Sequence, residues 1–482
     1  RKRRINQNSC NKDFSCVKGF CPSFVTVEGG QLKKPKKEQR GDLSALPPLP
    51  ALRIGLLGLG TVGAGTLAVL RRNHHAIARR TGRHMVVTHV AARNVARAQA
   101  LAGPDVQVLA DAHAVATHPD VDVVVEAVGG TGPALDWVLA ALASGKHVVT
   151  ANKALLAEKG HLVFEAAHRH GRVVAFEGAV AVSIPIIKAL REGLGGNRIE
   201  WLAGIINGTS NFILSAMRTQ GLSFDTALAQ AQALGYAEAD PAFDIHGHDA
   251  AHKLTLLAAV AFGMPLRHAQ VHTEGIATLT AADSVCAQAL GYRIKLLGLA
   301  RRQPGGVELR VHPTLVPADH LLAQVEGSLN GIVVQGDASG PTVHCGAGAG
   351  GEQTASAIVA DLMDIARLGG HTALQAVPML GVLPWATEDQ PVLPMADVIT
   401  RHCLRIPTVA PGLMLAPVLS CLHDCGLQTD VITPVPDAAN APGLLVLTRP
   451  ATERAAQQAV ATIGALGNVS GPVVRIRVES LT

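Results

Sequence analysis

Residues 52–63 read L-R-I-G-L-L-G-L-G-T-V-G, and this stretch decides the fold. The first six residues are a short apolar run stopped by glycine, the mark of a buried strand. Gly58, Leu59, Gly60, Thr61, Val62 and Gly63 then spell G-x-G-x-x-G at the start of a predicted helix, Thr61–Arg72. The spacing has a mechanism. The first glycine makes a tight turn, the second lets a pyrophosphate approach the backbone, and the third lets helix and strand pack closely. Unpaired N–H groups at the helix start then face the phosphates. Over six residues a simple glycine-rich turn reads the same way, so the weight rests on the surrounding chain.

Working outward, strand and helix alternate. Strands are predicted at 85–92 (M-V-V-T-H-V-A-A), 121–128 (V-D-V-V-V-E-A-V), 147–150 (H-V-V-T) and 172–176 (R-V-V-A-F). Continuous β-branched runs between helices predict a parallel sheet covered on both faces. In such a sheet an acid ending the second strand holds the ribose 2′-hydroxyl of NAD, whereas arginine accommodates a 2′-phosphate. The residue here is Arg93, which favours NADP over NAD; capping of the strand end is its other reading. Thr150-Ala151-Asn152-Lys153 closes the fourth predicted strand. Carboxyl ends of strands border the ligand crevice, so Lys153 is either a site residue or a solvated lysine opening a helix.

Composition sets the limits. The chain has 482 residues, 48% of them apolar and 3% aromatic, enough for two to four domains with aliphatic cores. No apolar run reaches the roughly 18 residues of a membrane span. The net charge of +5 is unevenly placed, because residues 1–40 hold eleven Lys/Arg and three Asp/Glu. That segment lacks aromatic interleaving, so the basic character implies no nucleic-acid partner. Residues 1–50 lack periodicity, end in A-L-P-P-L-P and read as a disordered basic extension. It is acid-poor like some transit peptides but has no apolar segment of the secretory kind. The eight cysteines include no Cys-x-x-Cys pair, which fits reduced thiols in a cytoplasm; a zinc site at Cys10, Cys16 and Cys21 is a weak alternative.

Downstream, a Pro-containing helix is predicted near Ile184. A strand over 201–206 runs into N-G-T-S-N-F, where Thr209 or Ser210 would cap a helix. Residues 238–253, E-A-D-P-A-F-D-I-H-G-H-D-A-A-H-K, gather four carboxylates and a lysine ahead of the apolar L-T-L-L-A-A-V-A-F-G. Asp249 and Lys253 are one helical turn apart and share a face. On a solvated face such a pair contributes about 0.2–0.5 kcal/mol. At the mouth of a buried helix it must be satisfied, and it is suited to gripping a charged ligand and moving a proton. Residues 346–361, G-A-G-A-G-G-E-Q-T-A-S-A-I-V-A-D, form a glycine-rich turn entering a helix. From about Asp397 the pattern is strand, helix, strand, strand, helix, strand, the small ferredoxin-like unit.

From residue 52 onward the chain resembles the monofunctional homoserine dehydrogenases that carry a C-terminal ACT domain. The resemblance rests on G-L-G-T-V-G, T-A-N-K-A-L-L-A, I-P-I-I-K-A-L-R-E, G-I-I-N-G-T-S-N-F-I-L, G-Y-A-E-A-D-P-x-x-D-x-x-G-x-D-x-x-x-K and G-A-G-G-E-Q-T-A-S-A. It implies a mixed α/β chain. The parts are a Rossmann-type doubly wound nucleotide domain over 51–177 (with a return helix at about 352–370), an α+β catalytic and dimerisation domain over 178–351, and a ferredoxin-like ACT domain over 397–482. The implied reaction is reduction of aspartate 4-semialdehyde to homoserine by NADPH or NADH, for threonine, methionine and isoleucine synthesis.

By the same resemblance, Lys253 donates the proton to the aldehyde oxygen, and Lys153 touches nicotinamide and substrate. Glu238, Asp249 and Asp244 bind the substrate. Gly235, Gly350 and Gly351 border the cofactor. Carbonyls of Glu177, Val180, Val182 and Ile184 hold a monovalent cation, usually sodium. Homodimers or homotetramers are implied, with threonine as an effector of the ACT-like unit. The sequence departs from the family pattern at Val182-Ser183, where two glycines are usual, and at 408–413, T-V-A-P-G-L, which lacks the usual acid before Pro-Gly. Two readings compete. An acylating semialdehyde dehydrogenase would need a thiol nucleophile with a nearby base, and Cys286 and Cys345 lie in no such motif. A non-catalytic amino-acid and nucleotide sensor would have no use for the Lys253, Asp249 and Glu238 set.

Overall fold

The computed structural model describes Lys18, Gly29 and residues 49–368 and 376–481. The extension expected over 1–50, with its three cysteines, therefore lies almost wholly outside the described residues. Six parallel strands make the first sheet: β1 (Leu52–Leu57), β2 (Met85–Ala91), β3 (Gln107–Leu109), β4 (Val123–Glu126), β5 (His147–Thr150) and β6 (Val174–Ala175). Their spatial order is 3-2-1-4-5-6, the dinucleotide-binding order, with its switch point between β1 and β4. Sequence periodicity misses β3 because three residues carry no period, so the strand expected third is in fact β4.

Successive residues of each strand point to opposite faces. Val123 and Val125 join Ile54 and Leu56 in packing against Ile358, Leu362 and Ile365 of the helix Gly351–Leu368. Val124 and Val148 point the other way, onto Val138, Leu142 and Leu155 of helices Pro133–Ala143 and Lys153–Arg169. Burial on both faces is why these strands read as unbroken apolar runs. Helix Gly351–Leu368 is the expected return helix; positions 369 and 370 of that expectation lie outside the described residues.

The second sheet has eleven strands. It comprises β7 (Ile199–Ile205), β8 (His272–Thr273), β9 (Tyr292–Gln303), β10 (Gly306–Pro317), β11 (Leu329–Gly336), β12 (Gly340–Ala347), β13 (Ile399–Pro407), β14 (Thr429–Pro434), β15 (Gly443–Thr448), β16 (Ala451–Thr452) and β17 (Val474–Val478). The main path is 12-11-7-9-10-17-13-15-14, with β8 beside β10 and β16 beside β13. From β13 on, the chain is βαββαβ apart from the two-residue β16, with helices Pro411–Asp424 and Glu453–Gly464. Its sheet joins the rest through β17, which pairs parallel with β10 at Thr314↔Arg477 and Leu315↔Val478.

Two local structures differ from the sequence reading. Helix Gly208–Gln220 is capped by Asn207, whose side chain accepts the Ser210 N–H, so Thr209 and Ser210 lie inside the first turn. The asparagine ending the β7 connection reaches that N–H first, and Asn is as good a cap as Ser. The helix expected near Ile184 is one α-turn, Ile186–Lys188, continued by a π-helical stretch, Ala189–Gly193. Among the described residues no helix is long and apolar enough to cross a membrane.

Candidate functional site

The nucleotide crevice sits at the carboxyl ends of β1, β2 and β4. Gly58 has φ +91° and Gly63 lies so close to it that a Cβ would stand 2.1 Å from the Gly58 carbonyl. A Cβ on Gly60 would meet no protein atom within 4 Å, so the backbone there faces open space. The three glycines thus have the three separate reasons their spacing implies. The cleft measures about 980 Å³ and includes Gly58, Leu59, Thr61, Arg93 and Arg97 in its wall. Arg97 was not singled out from sequence; it lies in the first turn of helix Val95–Ala102, four positions after Arg93. Gly351 abuts Thr61, its Cβ position 2.8 Å from Thr61 Cγ2, so the Gly350-Gly351 turn closes against the glycine loop. Gly235 lies elsewhere, exposed at φ +75° in the turn after helix Phe224–Ala233.

A buried carboxylate ties two strand ends together at this crevice. Glu126, the last residue of β4, accepts the N–H groups of Val128 and Gly129 at 2.9 and 2.8 Å and the Thr150 hydroxyl at 2.7 Å. Asn152 caps helix Lys153–Arg169 through the Leu155 N–H and donates to the Gly130 carbonyl. Lys153 is the first residue of that helix. The sequence signal for Glu126 is an acid ending an otherwise apolar strand, V-V-V-E.

Lys153 reaches the second part of the site. Helix His248–Phe262 is buried nearly all round and enters through Gly247 at φ +85°. Lys253, 6% exposed, donates to Asp249 Oδ2 at 2.7 Å and to the Ile206 carbonyl at 2.8 Å. Lys153 Nζ lies 3.0 Å from the other oxygen, Asp249 Oδ1. Asn207 bridges Asp249 Oδ2 and Asp244 Oδ1 at 2.9 and 2.7 Å. One carboxylate therefore holds two ammonium groups, one from each half of the molecule's chemistry. Asn207 belongs to a quoted motif, yet nothing in its spacing announces this bridge.

The electrostatics follow from the contacts. Burial opposes ionisation of Asp249, but the ammoniums of Lys253 and Lys153 outweigh it and hold the carboxyl well below the ordinary carboxylate range. The Asp249 charge raises the Lys153 pKa against the effect of burial. Burial, and then the Asp249 charge, raise the pKa of Asp244. Glu238 is exposed on the loop before Pro241, close enough for its charge to act on Lys153. A lysine ammonium has three donors, and Lys253 spends two on Asp249 and Ile206. The third can meet an oxygen that gains negative charge.

The proposed cation segment is a tight turn, buried from Glu177 to Ala181 and again at Ile184, with Ser183 exposed. Glu177 is buried, and its carboxylate accepts the N–H groups of Ile187 and Lys188. The buried Val180 and Ile184 flank Val182, a β-branched residue at φ +55°. That conformation is natural for the glycine usual here and strains a valine.

A family model described as "Homoserine dehydrogenase, NAD binding domain" matches residues 58–177, and one described as "Homoserine dehydrogenase" matches 185–363. Homoserine dehydrogenase of Pseudomonas aeruginosa is 51% identical over 434 residues, covering 89% of this chain and 99% of that protein. The crystal structure of a homoserine dehydrogenase from Thiobacillus denitrificans superposes with a TM-score of 0.85 at 52% identity, covering 90% of this chain and 99% of that one. A hyperthermophilic archaeal homoserine dehydrogenase in complex with NADPH has a TM-score of 0.56 at 25% identity, covering 65% of this chain and 97% of that one. With a nicotinamide crevice, and with the buried Lys253 and the part-exposed Lys153 meeting at Asp249, the chain belongs to the homoserine dehydrogenase family, oxidoreductases acting on the CH–OH group of homoserine.

Proposed function

We propose that Lys253 is the proton donor when aspartate 4-semialdehyde is reduced to homoserine, and the acceptor in reverse. The observation that carries this is a buried ammonium with two donors engaged and a third to spare. The bound nicotinamide supplies hydride to the carbonyl carbon. As charge grows on the oxygen, the Lys253 Nζ–H meets it and passes its proton across. Asp249 has its oxygens engaged by Lys253, Lys153 and Asn207, so its part is to hold both ammoniums in place. Asp244 and Glu238 have the charge to receive the substrate's α-ammonium, and Lys153, paired with Asp249, would bring a second positive charge to that pocket and to a bound nicotinamide. Replacing Lys253 by alanine should reduce kcat by about 10³-fold with NADPH binding retained. A kcat near that of the parent enzyme would overturn the assignment.

The cofactor reading is NADP(H) over NAD(H), supported by Arg93 in the cleft wall and by the NADPH of the archaeal relative. Gly58, Leu59, Gly60, Thr61, Val62 and Gly63 cradle the pyrophosphate, with Gly350 and Gly351 at its borders; Gly235 stands apart from this crevice, in the turn after helix Phe224–Ala233. A sodium ion suits main-chain oxygens of Glu177, Val180, Val182 and Ile184, since hard monovalent cations take neutral oxygen ligands. We assign residues 51–177 and the return helix to cofactor binding, 178–351 to catalysis and dimerisation, and 397–482 to an ACT-like unit with threonine as effector. A homodimer or homotetramer in the cytoplasm completes the reading, the latter on thiols left unpaired at Cys286, Cys345 and Cys403.

A further inference from the structure

The wall behind the substrate pocket is the short segment 272–276. β8 lies beside β10, and the Glu274 N–H donates to the Val311 carbonyl at 2.8 Å. The chain then turns in beneath the residues separating Asp244 from Asp249. A Cβ on Gly275 would stand 2.2 Å from the Ile245 carbonyl and 2.5 Å from His246 Cα. The Ile276 N–H donates to that same Ile245 carbonyl at 2.8 Å. From the other side, a Cβ on Gly247 would stand 3.1 Å from Thr273 Cγ2 and 3.3 Å from the Glu274 carbonyl. Nothing but backbone fits between the two segments.

Glu274 is gripped from β17. Arg477 donates Nη1 to its Oε2 at 2.8 Å and Nη2 to its Oε1 at 2.7 Å. Arg477 is 1% exposed and is itself held by Glu453, through Nε at 2.9 Å and Nη2 at 2.7 Å. A two-pronged arginine–carboxylate contact fixes angle as well as distance. Buried ion pairs are weak evidence for stability, whereas fixing one arrangement over another is their better-attested use. We propose that Glu274, fixed by Arg477, is a positioning residue. It sets substrate affinity by holding residues 245–247, and with them Asp244 and the entry of the Asp249–Lys253 helix. This rests on the reading of Asp244, Asp249 and Lys253 as the substrate pocket.

The test is steady-state kinetics of homoserine oxidation on the full-length enzyme. Glu274→Ala should raise KM for homoserine about tenfold, with kcat within about threefold and KM for the nicotinamide cofactor within about twofold, since small misplacements remote from the chemistry act through geometry. Arg477→Lys keeps the charge but not the fork and should raise the same KM. Combining it with Glu274→Ala should add little to the single change. Glu274→Gln keeps the shape and carries the test by the same criteria if the alanine variant does not fold. A lower Tm with KM for homoserine unmoved overturns the proposal, as does an equal rise in both KM values. Asp244→Asn is measured alongside. Should it leave KM for homoserine unmoved, the pocket reading is overturned and the proposal falls with it. Should it raise KM while the Glu274 variants do not, the proposal alone is overturned.

Discussion

The buried charges at the head of helix His248–Phe262 are carried by lysines, and those where β10 meets β17 are carried by arginines. At the sheet junction, Arg310 donates Nε and Nη2 to Glu308 and Nη1 to Glu479, and Arg477 forks onto Glu274 and Glu453. A guanidinium is planar, always charged and pre-shaped for carboxylates. It cements and does not release a proton. At the helix, Lys253 and Lys153 share one carboxylate, and Lys253 keeps a donor in hand. An ammonium is a compact charge on a flexible stem that can lose its proton. Burial alone therefore does not mark a functional ion pair. The kind of cation, and whether it can give up a proton, separates the two clusters.

The sharpest way to break this contrast is to put the junction's cation into the site. Lys253→Arg keeps the charge and can keep the Asp249 contact, yet cannot give up a proton. We expect kcat to fall about 10³-fold, as with alanine. A rate within about tenfold of the parent would mean that positive charge alone suffices. Next in size, Asp249→Asn leaves the buried Lys253 ammonium and the part-exposed Lys153 ammonium without their shared counter-charge. A loss of about 10²-fold in kcat is expected, with Tm lowered, because removing one partner of a buried pair strands the other.

A smaller effect is expected at the nucleotide end. Arg93→Asp should swing the NADPH/NADH preference in kcat/KM by about tenfold or more toward NADH, by losing a phosphate contact and gaining a repulsive one. An unchanged ratio would shift attention to Arg97. The junction's own signature lies in stability. Burial opposes ionisation of Glu453, yet Arg477 and Arg475 hold its carboxyl at about 2, below its ordinary 4.5. The stabilisation is thus complete above pH 4.5 and is lost as pH falls through about 2. Acid unfolding followed by circular dichroism should show this limb, and Glu453→Gln should flatten it.

Much of this was legible in the chain because the physics is local. The strand and glycine pattern of residues 52–63 needs no distant partner, and Asp249 with Lys253 needs a single helical turn. The failures are where partners are remote or elements short. β3 is three residues long. Asn207 won the cap because it bends back from the end of β7, which composition does not reveal. Lys153 meets Asp249 through the meeting of two sheets, and Glu274 finds Arg477 across 203 positions. Val182 is the reverse case. Its place in a glycine position was visible in sequence, and its left-handed backbone is the cost.

The pairing of β17 with β10 makes the last eighty or so residues a continuation of the sheet that backs helix His248–Phe262. Excising them by ending the gene near codon 397 would bare the flank of β10 and strand Arg310 and Glu274 without their carboxyl-terminal partners. An open, charge-frustrated edge of that kind invites self-association. The C-terminal unit is better regarded as a keystone than as an accessory that could be unclipped and moved to another enzyme.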